Sequence, residues 1–469
     1  MGREIVLKKS PREPCKQSRL IDPKDVFDVL HGNKGTEAIE GMIVNSNMLK
    51  LKNVPLSTQV FKRMVHPSIG SLEKLVELDF KSCKKLKFLP SSICKLKSLE
   101  VLCLKYCEKL RELPIELGKL EQLRELLAGG TAISHIPFSL GCLRNLKTLD
   151  LWVYESSILS KPKSQLLDIL SPLFLSRTRG SPSVVNLCSW EVIENLTSLV
   201  SLDLSGRSYY LQNLPFGLRH LSNLKSLYLN NFQNLRILVK LPPSLEELSV
   251  ENCVSLEKIA VVSNLKRLKV LCLGNCKSLV ELLNMGSLSS LVDLDIRNCN
   301  ALAIPDNYLH EVDDVPIALR SLSSSLKEID LMGRYYLQSL PLSFCHQYSN
   351  LERLYLDDLQ NLRLLPQLPP NLEILSLKNC VSLEKIADLS NLKRLGRLDI
   401  QNCKSLVVEL SGLESLESLH CLGIANCSGL RIPSIQKWFK ASSKVAWITL
   451  RVGVGFVSCC FLKPFKNTL

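Results

Sequence analysis

The side chains best equipped for chemistry in this chain are its eighteen cysteines, its seven histidines and a recurring set of aspartates. Cysteine can bind zinc, form disulfides or act as a nucleophile, and its spacing and surroundings decide among these. Cys83, Cys107, Cys253, Cys276, Cys299, Cys380, Cys403 and Cys427 all occupy one position of a repeated pattern. Ligands a whole repeat apart do not match a zinc cluster, and the eighteen lack the paired spacing of a disulfide framework. A small side chain with weak hydrogen-bonding capacity suits a buried bend where the chain leaves a strand, so these eight are expected to be structural. The histidines, at 31, 66, 135, 220, 310, 346 and 420, make no His-Glu-x-x-His spacing. No Gly-x-Ser-x-Gly elbow occurs, Cys459-Cys460 has no evident base partner, and no Gly-x-x-x-x-Gly-Lys-Ser/Thr loop is there to cradle phosphates. No catalytic residue and no metal ligand is assigned, and the chain is expected not to be an enzyme.

The element that must position these side chains is a repeat. From Leu72 the chain reads Leu72-x-x-Leu75-x-x-Leu78-x-Phe80-x-x-Cys83-x-x-Leu86-x-x-Leu89-Pro90, and the next unit places Leu96, Leu99, Leu102, Leu104, Cys107, Leu110, Leu113 and Pro114 at the same steps. This is the leucine-rich repeat signature. With the second leucine as marker, about fourteen units begin at 75, 99, 123, 146, 199, 224, 245, 268, 291, 326, 351, 372, 395 and 419. Leu-x-Leu alternation describes a short strand with both leucines on one side, and such strands bury their leucines only by stacking on neighbouring units. The expected fold class is an α/β solenoid, a leucine-rich repeat horseshoe with a concave parallel β-sheet, preceded by a short helical segment over 24–30. A longer period lies above the first: Asn252-Cys-Val-Ser-Leu-Glu-Lys-Ile-Ala260 recurs unchanged 127 residues later, so 196–305 is read as duplicated into 322–433. Residues 152–195 and 306–321 break the rhythm and read as loop insertions, and 434–469 as a tail that loses it.

In each unit the residues between the strand leucines point away from the core and line the concave face. Asp79, Asp150, Asp203, Asp295, Asp330 and Asp399 share one such position. Counting the flanking outward positions, Glu77, Glu125, Glu247, Glu251, Asp293, Glu328 and Asp357 raise the acids to thirteen, against six bases, Lys81, Lys105, Arg297, Arg353, Lys378 and Arg397. An acidic face on a chain of net charge +14 is expected to steer a basic protein surface, with Trp152, Tyr228 and Tyr355 as aromatic anchors. The solvated-aspartate alternative assigns these positions no partner. The basic excess permits nucleic acid, but with 6% aromatic residues no stacking platform is expected and nucleic acid is not assigned as a partner. No signal peptide opens the chain, and the apolar stretch 445–462 is broken by Arg451, Gly453 and Gly455, so no membrane span is expected.

Before the repeats, Ser10-Pro-Arg-Glu-Pro14, Ser18-Arg-Leu20, Asp22-Pro-Lys-Asp-Val-Phe-Asp-Val-Leu30 and Gly35-Thr-Glu-Ala-Ile-Glu-Gly41 follow one another in order. With the Leu-x-x-Leu-x-Leu-x-x-Cys units behind them, and Gly129-Gly-Thr-Ala-Ile133 as a repeat variant, they resemble the junction between nucleotide-binding module and repeats in plant TIR-type NLR disease-resistance proteins. The resemblance divides the chain into a winged-helix junction remnant, 1–45, and leucine-rich repeats, 55–433. It implies the recognition module of an intracellular immune receptor, cytoplasmic or nucleo-cytoplasmic, that binds a pathogen effector or a guarded host protein and contacts other domains of its receptor. The chain departs from the family in lacking the phosphate-binding loop and any TIR-like domain, and in carrying Cys15 and Ile21 where the family usually has glycine and often tryptophan. No cofactor is therefore expected in this chain, ADP or ATP entering only with an attached nucleotide-binding module. A free-standing repeat adaptor or decoy without switch activity is the alternative.

Overall fold

A computed structural model describes residues 18–20, 25–26, 29, 38–43, 67–153, 190–206, 216–239, 241–259, 264–282, 287–302, 324–333, 337–340, 342–407, 409–430 and 447–451. The insertions and the tail lie outside the described residues, apart from 152–153, 190–195 and 447–451.

Each marker leucine opens a strand two residues later, so Leu75 precedes Glu77–Asp79 and Leu372 precedes Ile374–Lys378. All fourteen markers are buried, because the leucine step forces each into the space between the sheet and the opposite side of the coil. Local hydrogen bonds shape the approach: the amide of Leu75 donates to Leu72 O at 3.0 Å, and Leu99 to Leu96 O at 3.1 Å. A three-residue turn thus joins the two leucines that enter the core together.

The chain divides into two compact units, one formed by residues 1–232 with 240–245, the other by 233–239 with 246–469. In the first, Arg19–Leu20, Gly41–Ile43, Glu77–Asp79, Val101–Cys103, Glu125–Leu127, Thr148–Asp150, Ser201–Asp203 and Ser226–Tyr228 pair in parallel, each with the next. In the second, Glu247–Ser249, Val270–Cys272, Asp293–Asp295, Glu328–Asp330, Arg353–Tyr355, Ile374–Lys378, Arg397–Gln401, Cys421–Ala425 and Trp447–Arg451 do the same. Within each unit the leucine-rich repeat solenoid is formed as the periodicity predicts.

Two features differ from the sequence reading. Among the described residues of the first unit the side of the coil opposite the sheet carries short 3-10 turns in place of α-helices, such as Ser91–Lys95 and Phe138–Cys142, each preceded by an extended proline, Pro90 and Pro137. A repeat of this length, with a proline fixing φ on entry, leaves room for one tight turn and not for a full helix. In the second unit the same side carries small parallel ladders, Ile237–Leu238 with Lys258–Ile259 and Glu281–Leu282, and Leu364–Leu365 with Lys385–Ile386. The other difference is at the ends, where Gly41–Ile43 and Trp447–Arg451 add strands to the sheet from segments read as junction and tail. Ile39-x-x-Met42 copies the Leu75-x-x-Leu78 step, and Ile39, Met42 and Leu20 are fully buried. The helical start expected over 24–30 is present at the described residues 25–26 and 29, with Val26 and Val29 buried.

Candidate binding face

The parallel register lays the predicted face residues out in rows. In the first unit one row runs Asp79, Cys103, Leu127, Asp150, Asp203, Tyr228, each directly opposite the next. Trp152 stands two residues beyond Asp150, on the same side of the chain. The structure therefore brings Asp150, Asp203, Tyr228 and Trp152 together and separates Asp79 from them by two strands. In the second unit the equivalent row runs Ser249, Cys272, Asp295, Asp330, Tyr355, Ser376, Asp399. It joins Asp295, Asp330 and Tyr355 and leaves Asp399 beyond Ser376.

The aspartates are not a solvated row. Asp150 is 7% exposed, Asp295 9% and Asp399 5%. Five of the six predicted bases sit on them or on their neighbours: Lys105 on Asp150 at 2.8 Å, Arg297 on Glu251 at 2.7 Å and Asp295 at 3.2 Å, Arg353 on Glu328, Lys378 near Asp357 and Asp399 at 3.8 Å, and Arg397 on Asp399 at 2.8 Å. A local reason for aspartate is also visible. Asp79, Asp203, Asp295 and Asp330 each accept the backbone N–H two residues on, from Lys81, Ser205, Arg297 and Met332, at 2.7–3.0 Å. The short carboxylate closes the turn that takes the chain out of its strand.

Burial disfavours the charged form of several face carboxyls, Asp203, Asp293, Asp295 and Asp330. Burial pushes the Asp203 carboxyl up to about 6, and the charge of Asp150 across the strand pair adds to it. Burial likewise lifts Asp293 to about 6, with Glu328 adding and Arg353 opposing, and Asp330 to about 6, with Asp295 adding. These carboxylates are costly to ionise in place and gain most from an incoming cation. Among the described residues no group of three histidine, cysteine or acidic side chains is arranged to hold a metal ion.

Seven of the eight repeat cysteines are buried in the bend, and Cys427 is half-buried. Cys107 donates its thiol to Phe80 O, Cys276 to Val250 O, Cys299 to Leu273 O, Cys380 to Leu356 O and Cys403 to Leu377 O, all at 2.9–3.1 Å, and each acceptor belongs to the preceding repeat. Cys427 makes the longer bond to Ile400 O at 3.6 Å, and all eight are free thiols. The neighbouring Cys107 and Cys253 thiols, followed by burial, push Cys83 and Cys276 far above the ordinary thiol range. In native protein these two are expected to resist alkylation until urea unfolds the chain, whereas the exposed Cys142 reacts at once. Mass mapping of iodoacetamide adducts checks this, and native labelling of Cys276 as fast as Cys142 would contradict it.

A second ladder was missed by the sequence reading. The residue before each of the six Asn-Cys pairs' cysteines adopts left-handed backbone: Asn252, Asn275, Asn298, Asn379, Asn402 and Asn426 have φ between 54° and 64°. Their side chains link rung to rung, Nδ2 of Asn275 to Oδ1 of Asn252 and Asn298 to Asn275, then Asn379 to Asp358, Asn402 to Asn379 and Asn426 to Asn402, at 2.6–2.8 Å. The recurring Asn-Cys dipeptide was the available signal, since asparagine tolerates this conformation better than other side chains with a Cβ.

No family model matches the chain. Among curated proteins it is similar to Disease resistance-like protein DSC1 of Arabidopsis thaliana, 34% identical over 229 residues that make up 48% of this chain and 17% of that protein. It is also similar to the Arabidopsis protein SUPPRESSOR OF npr1-1, CONSTITUTIVE 1, 35% identical over 249 residues, 53% of this chain and 16% of that protein. The chain thus matches about a sixth of the length of these relatives. Among solved structures, a leucine-rich repeat protein of Leptospira interrogans aligns over 95% of this chain and 98% of its own, at 20% identity and a TM-score of 0.58, which is a likeness of fold.

Proposed function

We propose that this leucine-rich repeat solenoid, similar in sequence to plant disease-resistance proteins, is the recognition module of an intracellular immune receptor and that its open sheet face binds a basic surface on a protein partner. The partner class is a pathogen effector or a host protein that the receptor guards. Leucine-rich repeat solenoids are typically non-catalytic binding scaffolds. The observation that carries the reading is the set of half-buried carboxylates at Asp203, Asp293 and Asp330, with Tyr228 directly opposite Asp203, Tyr355 directly opposite Asp330, and Asp293 one row over, opposite Glu328. Such groups supply charge for steering and a local electrostatic cost that a cation relieves, while tyrosine supplies contact area at little entropic cost. Among the described residues no helix is long and apolar enough to cross a membrane. Nucleotide, in this reading, belongs to a module outside the repeats.

The test must spare the buried ion pairs. Reversing Asp399 to lysine would set three cations together, with Arg397 and Lys378, and unfold the rung for reasons unrelated to binding. The informative variant combines Asp203→Asn, Asp293→Asn and Asp330→Asn. Selection of random peptides displayed on phage against the immobilised protein should enrich arginine and lysine, and the triple variant should lose that enrichment at low salt. Selection of acidic or purely apolar peptides, or an undiminished basic bias on the triple variant, would overturn the reading.

A further inference from the structure

Among the described residues of the first unit, a buried polar atom on this face is left without a hydrogen-bond partner. Asp150 accepts an ion pair from Lys105 through Oδ2, but its Oδ1 is closed from solvent and has no hydrogen-bond partner. Leaving a buried carboxylate oxygen without a partner forfeits its hydration with nothing in return, and a group of this kind calls for a ligand or a role. Asp203 stands directly opposite on the adjacent strand, and the charge of Lys105, paired with Asp150, reaches both carboxylates. Parallel strands lie roughly 4.8 Å apart, a span that a planar guanidinium can bridge with two parallel N–H donors.

The covering group is Trp152. A Cβ placed on Gly129 would stand 2.1 Å from the indole Nε1 and 2.5 Å from Asp150 Oδ1, so both atoms occupy the hollow that only glycine leaves open there. Tyr106 meets the indole edge-on, with ring centres 5.5 Å apart and planes at 73°. An indole resting over an unsatisfied carboxylate offers a π face to any cation that displaces its edge, and guanidinium stacks on tryptophan better than ammonium does. Lysine chemistry is already represented at the site, as Lys105 on the other oxygen.

We propose that Asp150, Asp203 and Trp152 form a subsite for an arginine side chain of the partner, the guanidinium bridging the two carboxylates and stacking on the displaced indole. This rests on the basic-partner reading above and goes beyond it in naming one residue type and one place. The subsite has no covalent chemistry; its product is a bidentate, desolvated ion pair of the sort that dominates interface energetics.

The test uses the whole chain with 5-fluorotryptophan at its four tryptophans, the Trp152 resonance being identified by its loss in Trp152→Phe. The probe is the tripeptide acetyl-Gly-Arg-Gly-amide, with lysine and citrulline analogues. The arginine peptide is expected to shift the Trp152 signal saturably in the millimolar range, at least about fivefold more tightly than the lysine peptide. Citrulline, which keeps the shape and lacks the charge, should leave the signal in place. Asp150→Asn should abolish the arginine response, and Asp203→Asn, which removes only the second carboxylate, should reduce it to the lysine level. An equal response to citrulline, or no response to arginine in a folded protein, overturns the subsite. If phage selection still enriches basic peptides in that case, the face-wide reading stands and only the arginine subsite falls. If selection shows no basic bias while Trp152 responds to arginine, the subsite stands without it.

Discussion

Replacing Asn402 by alanine is expected to destabilise the second unit by about 3 kcal/mol, although the side chain is small and lies away from the leucine core. Three losses contribute. Alanine at φ 57° bears the left-handed penalty of about 1 kcal/mol. Asn379 Oδ1 loses the donor it holds at 2.6 Å, and Asn426 Nδ2 loses the acceptor it reaches at 2.7 Å, each worth about 1 kcal/mol net. Asn402→Gly removes the backbone part alone and should cost about 2 kcal/mol. Asn402→Asp should cost less than glycine, about 1 kcal/mol, because a carboxylate still accepts from Asn426 and loses only the donation to Asn379. Asp358 shows where an acceptor is tolerated: it ends a run, taking the Asn379 amide and donating nothing. Urea unfolding followed by circular dichroism gives the ranking, and amide exchange over Ile374–Lys378 and Arg397–Gln401 locates it, since a repeat array can open locally. Equal stability of the alanine and aspartate variants with the parent would show that the ladder is decorative.

The second large effect is one of pH. Asp203, Asp293 and Asp330 titrate near 6 in the folded chain, above the ordinary carboxyl value that applies once unfolded. The folded state therefore binds these protons more tightly than the unfolded state. Their contribution to stability is fully present below about pH 4, declines as pH rises through 6, and is gone above it. The more deeply buried Asp203 and Asp330 should each cost about 1–3 kcal/mol at pH 8 relative to the neutral form, and Asp293, screened by solvent, about 1 kcal/mol or less. The combined Asp203→Asn, Asp293→Asn and Asp330→Asn variant keeps an oxygen for the Ser205 and Met332 amides and carries no charge. It should melt several degrees above the parent at pH 8 and close to it at pH 4. A gain of the same size at both values would show that the benefit lies in packing or in the unfolded chain. The same three groups carry the proposed binding face, so the prediction is a stability cost held where a cationic partner would relieve it.

The periodicity made the fold legible. Leucines at fixed steps can bury themselves in one way only, and the fourteen markers lie inside the coil because burial follows from side-chain type and spacing, both of which are written in the chain. Strand alternation also placed Asp150, Asp203, Asp295, Asp330 and Asp399 on the open side, and the repeat position of Cys276 and Cys403 placed their thiols in the bend. Gly41–Ile43 escaped notice because Met42 substitutes for leucine in a repeat whose other signature residues are weak. The proline-led 3-10 turns escaped it because the signature specifies the sheet side of a repeat and leaves the other side to whatever a short segment can close.

What a side chain meets across repeats was decided by tertiary structure alone. Asp150 and Asp203 are 53 positions apart in sequence and directly opposed in space, because the strand register skips the intervening insertion. Only that register shows one carboxylate oxygen orphaned beside Trp152, and only it shows Asp399 paired with Arg397 and Lys378 while Asp330 holds the Met332 amide and feels the charge of Arg297. Composition counts charges along a chain, whereas their energies depend on distance and burial, and a solenoid sets both by stacking residues that the sequence keeps far apart.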